Sequence, residues 1–310
     1  MPKELPIILV NYNGNEDTIA CLQSILYTEM VPLPFVIVVD NASYGKVDEI
    51  INFYPKIHII KNKENLGFGK ANNIGINWAI ENLAFDYLLL LNNDTLIEKD
   101  SLYYLLDAFS KSPEIGIATS KIMYEKDREI VWYGGGDINY KRGWPKIANY
   151  NQIATPNGAN KSRFVTFVSG CVMMFSKKCL EKVGGFDDEF FMYCEDLELS
   201  LRVINLGFKL YYEPKSIIYH KVEGSINKLD NNPKGIHHKN PSLLYLFYHV
   251  KSNQYLAMKK NLPLRDFLLF YIVYWLEFTY IVFAKILIHG KFKIIKIVFK
   301  TIKRIIKAGG

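Results

Sequence analysis

Five consecutive apolar residues, Tyr87-Leu-Leu-Leu-Leu91, run straight into Asn92-Asn93-Asp94-Thr95. The run is too short for a helix and shows no polar alternation. It therefore predicts a strand buried on both faces, the mark of a parallel sheet covered by helices. Such sheets bind ligands just beyond the carboxyl ends of their strands. Asp94, with two amides beside it, offers oxygen donors there to a hard divalent cation, and the cation can hold phosphate. The competing reading is a plain turn, because Asn and Asp are common turn residues.

The same grammar repeats upstream. Pro6-Ile-Ile-Leu-Val10 predicts a strand ending in Asn11-Tyr12-Asn13-Gly14, and Phe35-Val-Ile-Val-Val39 a second ending in Asp40-Asn41-Ala42-Ser43. Between them Ile19, Leu22 and Leu26 share one helical face. Residues 56–60 predict a third strand, and the glycine- and asparagine-rich stretch 65–75 opens a helix reaching about Asn82. Strand, helix, strand with polar residues at each carboxyl end is the pattern of a nucleotide-binding α/β sheet. Neither a GxGxxG directly after a strand nor a P-loop is present, so the glycines read first as turn chemistry.

Downstream, a helix is expected over residues 101–109 and a short strand over 115–118. Residues 124–163, with Trp132, Gly134-Gly135-Gly136 and Trp144, read as a long irregular region of the kind that carries function. Residues 164–175 are strand-like and broken at Ser169-Gly170. Leu197, Leu201 and Ile204 recur at helical spacing, which puts Glu195 and Asp196 in a first helical turn. Carboxylates there also serve simply as partners of the helix dipole. Residues 210–212 and 216–219 predict two more strands, the second ending at His220. His237-His238 stands in a polar stretch without a carboxylate partner and receives no role.

Charge narrows the function classes. The net charge of +7 is matched by the seven Lys and Arg of residues 291–310, which hold no acid, so residues 1–290 are formally neutral. No general nucleic-acid-binding surface is expected on the main body. Cys21, Cys171, Cys179 and Cys194 form no CxxC pair and no zinc spacing, and read as buried free thiols of a reducing compartment. Met1-Pro2-Lys3-Glu4 leads into an apolar strand without the character of a signal peptide, so a cytosolic location is expected.

The C-terminal third has its own logic. Residues 267–288 are almost wholly apolar and aromatic, near the ~20 residues of a membrane span. Glu277 and Lys285 interrupt them, and the Tyr and Trp content suits an interface. In 291–307, Lys293, Lys296, Lys300, Lys303, Arg304 and Lys307 share one helical face, and Ile, Val and Phe fill the remainder. That is the design of a helix lying in an anionic membrane surface. The alternative is a core-packed helix with a solvated basic edge. The expected division is an α/β domain over residues 1–240 and a helical, membrane-associating region over 241–310, held peripherally on the cytoplasmic face.

Several motifs in order resemble the family 2 glycosyltransferases of the GT-A fold, especially the bacterial rhamnosyltransferase-like branch that builds cell-surface polysaccharides. They are Val10-Asn-Tyr-Asn-Gly14, Val39-Asp-Asn-Ala-Ser43, Asn65-Leu-Gly-Phe68 with Asn72-Asn-Ile-Gly75, and Leu91-Asn-Asn-Asp-Thr95. Ser169-Gly170, Gly184-Gly-Phe-Asp187, Tyr193-Cys-Glu-Asp-Leu-Glu-Leu199 with Arg202, and Tyr219-His220 continue them, so the likeness covers roughly residues 6–225. The resemblance implies a mostly parallel sheet flanked by helices and an inverting transfer from a UDP- or dTDP-linked sugar. The acceptor would be a hydroxyl of a lipid-linked or surface-polysaccharide saccharide, and Mg²⁺ or Mn²⁺ would take part.

Roles follow onto particular positions. The resemblance implies donor contacts at Asp40, helped by Asn11, Asn41, Gly67, Asn72 and Asn93. It places the metal at Asp94 and His220 and the general base at Asp196. Trp132, Glu195 and Arg202 become acceptor-side candidates. Asn92 replaces the first Asp of the family's Asp-x-Asp, and Glu198 stands where the branch has Asp. Two other classes compete: a nucleotide-sugar-binding subunit without transfer activity, and a nucleotidyltransferase. The second would carry a basic phosphate loop after the first strand, where Asn11–Asn15 has no basic residue.

Overall fold

The computed structural model describes residues 3–30, 32–45, 47–155, 159–222, 241–283 and 294–307. His237-His238, Lys285, Lys291 and Lys293 lie outside the described residues.

The first half is built as the apolar runs dictate. Strands β1 (Pro6–Asn11), β2 (Phe35–Asp40), β3 (Ile57–Lys61) and β4 (Tyr87–Asn92) alternate with helices α1 (Asn15–Tyr27) and α2 (Phe68–Asn82). β1 pairs parallel with both β2 and β4, and β2 with β3. In this register Asn11 stands beside Asp40 and Val10 beside Asn92. The polar ends of three strands therefore meet along one edge of the sheet. Leu88, Leu89, Leu90 and Leu91 are buried, and each contributes about 1.5–3 kcal/mol by leaving water. That burial, more than any polar contact, holds Asn92–Asp94 in place.

The second half completes an eleven-stranded mixed sheet. β5 (Thr95–Ile97) and α3 (Ser101–Ala108) lead to β6 (Ile115–Tyr124), β7 (Ile130–Tyr133), β8 (Gly136–Asn139), β9 (Trp144–Ile147) and β10 (Gln152–Ile153). β11 (Arg163–Val165), β12 (Val172–Ser176), α4 (Lys177–Val183), α5 (Glu195–Asn205) and β13 (Lys209–His220) follow. The order is β10-β7-β6-β12-β4-β1-β2-β3, and β13 runs along β6 and carries β5 and β11. β12 inserts antiparallel between β4 and β6.

Three departures from the expected elements have physical causes. β6 runs to Tyr124 because its polar centre is paired: Thr119 Oγ1 donates to the Val172 carbonyl at 2.8 Å, and the Ser120 and Ser216 hydroxyls meet at 2.7 Å. Residues 209–220 form one strand, with a register shift between Glu213 and Ile217 that accommodates Pro214, which has no N–H for the ladder. Residues 124–163 contain four short strands, two of which, β8 and β9, form a separate hairpin. All four cysteines are buried and unpaired.

Among the described residues three helices follow β13: α6 (Pro241–Asn261), α7 (Leu264–Phe283) and α8 (Ile294–Lys307). α6 packs on α5 and carries α8 on another side. Its central residues 251–258 are buried, Lys251, Ser252, Asn253 and Gln254 among them. α7 turns Phe270, Tyr274 and Phe278 inward and leaves Leu264, Leu268, Ile272, Leu276 and Phe283 exposed. α8 divides its apolar side, with Ile305 buried and Phe299 and Ile306 exposed. Arg304 turns inward to Ser252 Oγ at 2.9 Å and the Glu189 carbonyl at 3.2 Å.

Candidate active site

The site has three parts along the sheet edge. The first is a cleft of about 600 Å³ at the carboxyl ends of β1 to β3, lined by Tyr12, Asp40, Ser43, Tyr44, Lys61 and Asn65 among others. Asp40 is held there by the Asn11 amide, which donates to Oδ1 at 2.9 Å, and by the Ser43 N–H, at 3.3 Å from Oδ2. Asn41 faces away from the cleft and knits its wall. Its Nδ2 donates to Asn65 Oδ1, and its Oδ1 accepts from the Leu66 N–H and from Asn62. Gly67 (φ +85°) touches the Phe191 carbonyl so closely that a Cβ would stand 2.2 Å from it. Asn72 is buried and donates to the Phe68 carbonyl of its own helix. Tyr12 and Tyr44, which line the cleft, carried only their position after strand ends as a signal.

The second part is a buried pair. Asp94 Oδ1 and His220 Nε2 lie 3.1 Å apart, with side chains 7% and 8% exposed. β13 pairs antiparallel with β5, setting His220 against Thr95, and this register makes the contact. Burial works against a proton on His220, but the Cys171 sulfur and the Asp94 carboxylate outweigh it and hold the imidazole pKa up, at about 10. Trp132 packs edge-on to the imidazole, 4.8 Å between ring centres. The aromatic candidate from the long irregular region therefore stands at the His220 side. Asn93 turns toward α1, where its amide donates to Thr18 Oγ1 at 2.9 Å.

The third part surrounds Asp196 at the start of α5. Two consecutive non-glycine residues before it, Tyr193 (φ 68°) and Cys194 (φ 63°), are left-handed, at about 1–3 kcal/mol each. Asp196 is held by the N–H groups of Gly170 (3.3 Å to Oδ2) and Leu197 (2.8 Å to Oδ1). Burial nevertheless wins over these donors and pushes its carboxyl up to about 6. Glu195 goes further, to about 8, from burial first and the Asp196 charge second. Glu195 Oε2 is buried with no hydrogen-bond partner among the described residues. Glu198 is turned away, bound at 2.8 Å by both Nε and Nη2 of Arg202. Arg202 also donates to the carbonyls of Val183 and Gly185, so its guanidinium fastens α5 to the α4 end. A pocket of about 240 Å³ opens beside Asp196, with Trp144, Phe167 and Tyr193 in its walls.

One short turn joins the last two parts. Gly170 donates its N–H to Asp196, and the next residue, Cys171, sets its side chain against His220. The Cys171 carbonyl accepts from the Asn92 N–H at 2.9 Å, tying the same turn to the end of β4. The Asp196 carboxylate and the Asp94–His220 pair are thus tied together through two consecutive residues.

The pair's fit to a cation rests on that geometry. With the imidazole protonated, the 3.1 Å between Asp94 and His220 is an ion pair. A cation bound there would displace that proton, and its neighbouring octahedral ligands, each at about 2.1 Å, would likewise stand about 3.0 Å apart. No group of three or more His, Cys, Asp or Glu side chains is set to hold a metal among the described residues. One carboxylate completed by substrate phosphate is a usual arrangement for Mg²⁺, and Asp94 is the carboxylate here.

A mostly parallel sheet with polar strand ends, flanked by helices, has the GT-A architecture, and known proteins share it. GalNAc-T7, solved with UDP, GalNAc and Mn²⁺, superposes with a TM-score of 0.58 at 19% identity, covering 80% of this chain and 48% of that one. Staphylococcus aureus TarS, residues 1–349, gives 0.61 at 14% identity over 98% of this chain and 80% of that one. The family model described as "Glycosyltransferase like family 2" matches residues 2–233, and the chain belongs to that family.

Relatives include the poly-beta-1,6-N-acetyl-D-glucosamine synthase of Staphylococcus epidermidis, 26% identical over 73% of this chain and 52% of its own length. The chain thus spans about half of that relative. The N-acetylglucosaminyl-diphospho-decaprenol L-rhamnosyltransferase of Mycobacterium tuberculosis is 24% identical over 77% of this chain and 83% of its own length. A low-salt glycan biosynthesis hexosyltransferase of Haloferax volcanii, Agl10, is 28% identical over 67% and 65%.

Proposed function

We propose that the protein is an inverting glycosyltransferase. It moves a sugar from a UDP- or dTDP-linked donor to a hydroxyl of a lipid-linked or surface-polysaccharide acceptor. The observation that carries this reading is the Gly170–Cys171 step, which ties the Asp196 carboxylate and the Asp94–His220 pair together through consecutive residues. A transfer of this kind needs a base for the acceptor hydroxyl and a place where leaving-group charge is held.

Each residue's part follows from its surroundings. Asp40, fixed by Asn11 and Ser43, faces the nucleoside in the cleft. Asn41 and Gly67 shape the wall behind it. Asp94, and His220 once its imidazole has given up its proton, would hold a Mg²⁺ or Mn²⁺ ion, which when bound neutralises diphosphate charge. Asp196, poised near pKa 6 by burial, is ionised at neutral pH and takes the acceptor proton. Glu195, protonated beside it, keeps a second negative charge out of the pocket. The walls of Trp144, Phe167 and Tyr193 give an acceptor sugar an apolar face to lie on.

The C-terminal helices support a peripheral place on an anionic membrane surface. α7 is long and apolar enough to cross a membrane by length and composition. Its Glu277, however, accepts from Arg142 Nε at 2.6 Å, and its inner aromatic face packs on the body. The exposed residues Leu268, Ile272 and Leu276 of α7 and Phe299 and Ile306 of α8, the latter with Lys296, Lys303 and Lys307 exposed on the same helix, are those that would meet lipid. The deciding experiment is a screen of nucleotide-sugars with Mn²⁺ for donor hydrolysis and for transfer to undecaprenyl- and decaprenyl-linked saccharides. Binding without turnover across the screen would favour the non-catalytic subunit instead.

A further inference from the structure

Asp196 follows a turn that its own helix holds by one backbone hydrogen bond, from the Glu198 N–H to the Cys194 carbonyl at 3.0 Å, and by no side-chain cap. Cys194, the residue capping α5, makes no side-chain cap, and both it and Tyr193 are left-handed without being glycine. Such a conformation persists only where the surroundings over-determine it.

The surroundings here come from α6. Asn253 is fully buried, and its Nδ2 donates to the Met192 carbonyl at 2.9 Å and the Tyr193 carbonyl at 2.8 Å. Those two peptide groups are the ones turned by the left-handed pair. Cys194 Sγ lies 3.8 Å from the Val250 carbonyl, one helical turn earlier on the same face. Lys260 of α6 reaches Asp187 and Glu189 at the start of the same loop, and Arg304 reaches the Glu189 carbonyl.

We propose that Asn253 is a positioning residue for the transfer reaction: it holds the Tyr193–Cys194 turn and thereby aims the Asp196 carboxylate. The proposal rests on the reading of Asp196 as the base. α6 is on this view a working part of the active site. A buried amide serves here better than a hydroxyl, because both of its hydrogens are used on adjacent carbonyls and a single O–H has only one. An aspartate of the same shape would place acceptor oxygens against acceptor oxygens.

The test compares Asn253→Asp and Asn253→Ala with wild type and with Asp196→Asn, in the full chain. The readings are kcat, donor Kd by calorimetry, Tm and the pH profile. Displacing a reacting group by about an ångström costs on the order of 10²-fold. Both Asn253 variants should lose about that in kcat, bind donor as wild type does, and move the acid limb of the profile. Asn253→Ser, which keeps one small donor, carries the same readings if Asn253→Asp does not fold. A lowered Tm with wild-type kcat and an unmoved limb, while Asp196→Asn abolishes turnover, overturns the proposal and leaves the base standing. Wild-type turnover in Asp196→Asn overturns both.

Discussion

The Asp94 carboxylate and the His220 imidazole meet at 3.1 Å, brought together by the antiparallel pairing of β13 with β5. Both are buried, and Trp132 and Cys171 wall the imidazole. A pair spaced in this way fits two adjacent positions around one divalent cation. Chelation should therefore stop transfer, and Asp94→Ala should weaken Mn²⁺-dependent donor binding by about tenfold or more. Calorimetry with and without EDTA reads this directly. Unchanged donor affinity and full turnover in excess chelator would remove the metal from the reaction.

Asp196→Asn preserves shape and the contacts to Gly170 and Leu197 but cannot take a proton. Turnover should fall by roughly 10²–10⁴ with donor Kd unchanged. If Glu195→Gln loses as much while Asp196→Asn loses little, the neighbouring carboxylate is the base.

The pH profile of kcat should carry an acid limb near 6, where burial has moved Asp196. The base acts unprotonated, so the rate falls about tenfold per unit below that limb and levels off above it. A limb near the ordinary carboxylate value of about 4 would mean that Asp196 is solvated during turnover.

Glu195 makes a prediction about stability. Its folded-state pKa is raised to about 8 from the ordinary 4.5, so between those values the folded protein keeps a proton that the unfolded chain releases. Stability contributed by this group is present below about pH 4.5 and lost as pH rises toward 8. Glu195→Gln should stabilise the protein at pH 8 by about 1–3 kcal/mol, and the gain should vanish near pH 4. Thermal melts at both pH values measure it; equal gains at the two would sink it.

On the membrane side, replacing the exposed Lys296, Lys303 and Lys307 by Glu should abolish sedimentation with anionic vesicles at low salt. Each basic residue near such a surface is worth about 1 kcal/mol, so losing three weakens binding by about 10²-fold before repulsion is added. Donor binding should be untouched. Wild-type protein that ignores these vesicles would make α7 and α8 purely structural.

Much of this molecule is determined by local pattern. The runs Pro6–Val10, Phe35–Val39 and Tyr87–Leu91 are apolar throughout, so they had to be buried strands, and the polar residues after them had to lie at the sheet's edge. The helical spacing of Leu197, Leu201 and Ile204 likewise sets Asp196 in a first turn. Other features are decided only by long-range packing. β6 and β13 are longer than their apolar cores because Thr119, Ser120 and Ser216 find partners across the sheet, which no local window contains. Trp132 and Trp144 look alike in sequence, yet one packs on His220 and the other lines the pocket beside Asp196. Asp196's pKa depends on whether burial outweighs its N–H donors, a balance set by everything packed around it. Asn253 is an ordinary polar residue on an ordinary helix until α6 docks and sets its amide against the Met192 and Tyr193 carbonyls of the turn before Asp196.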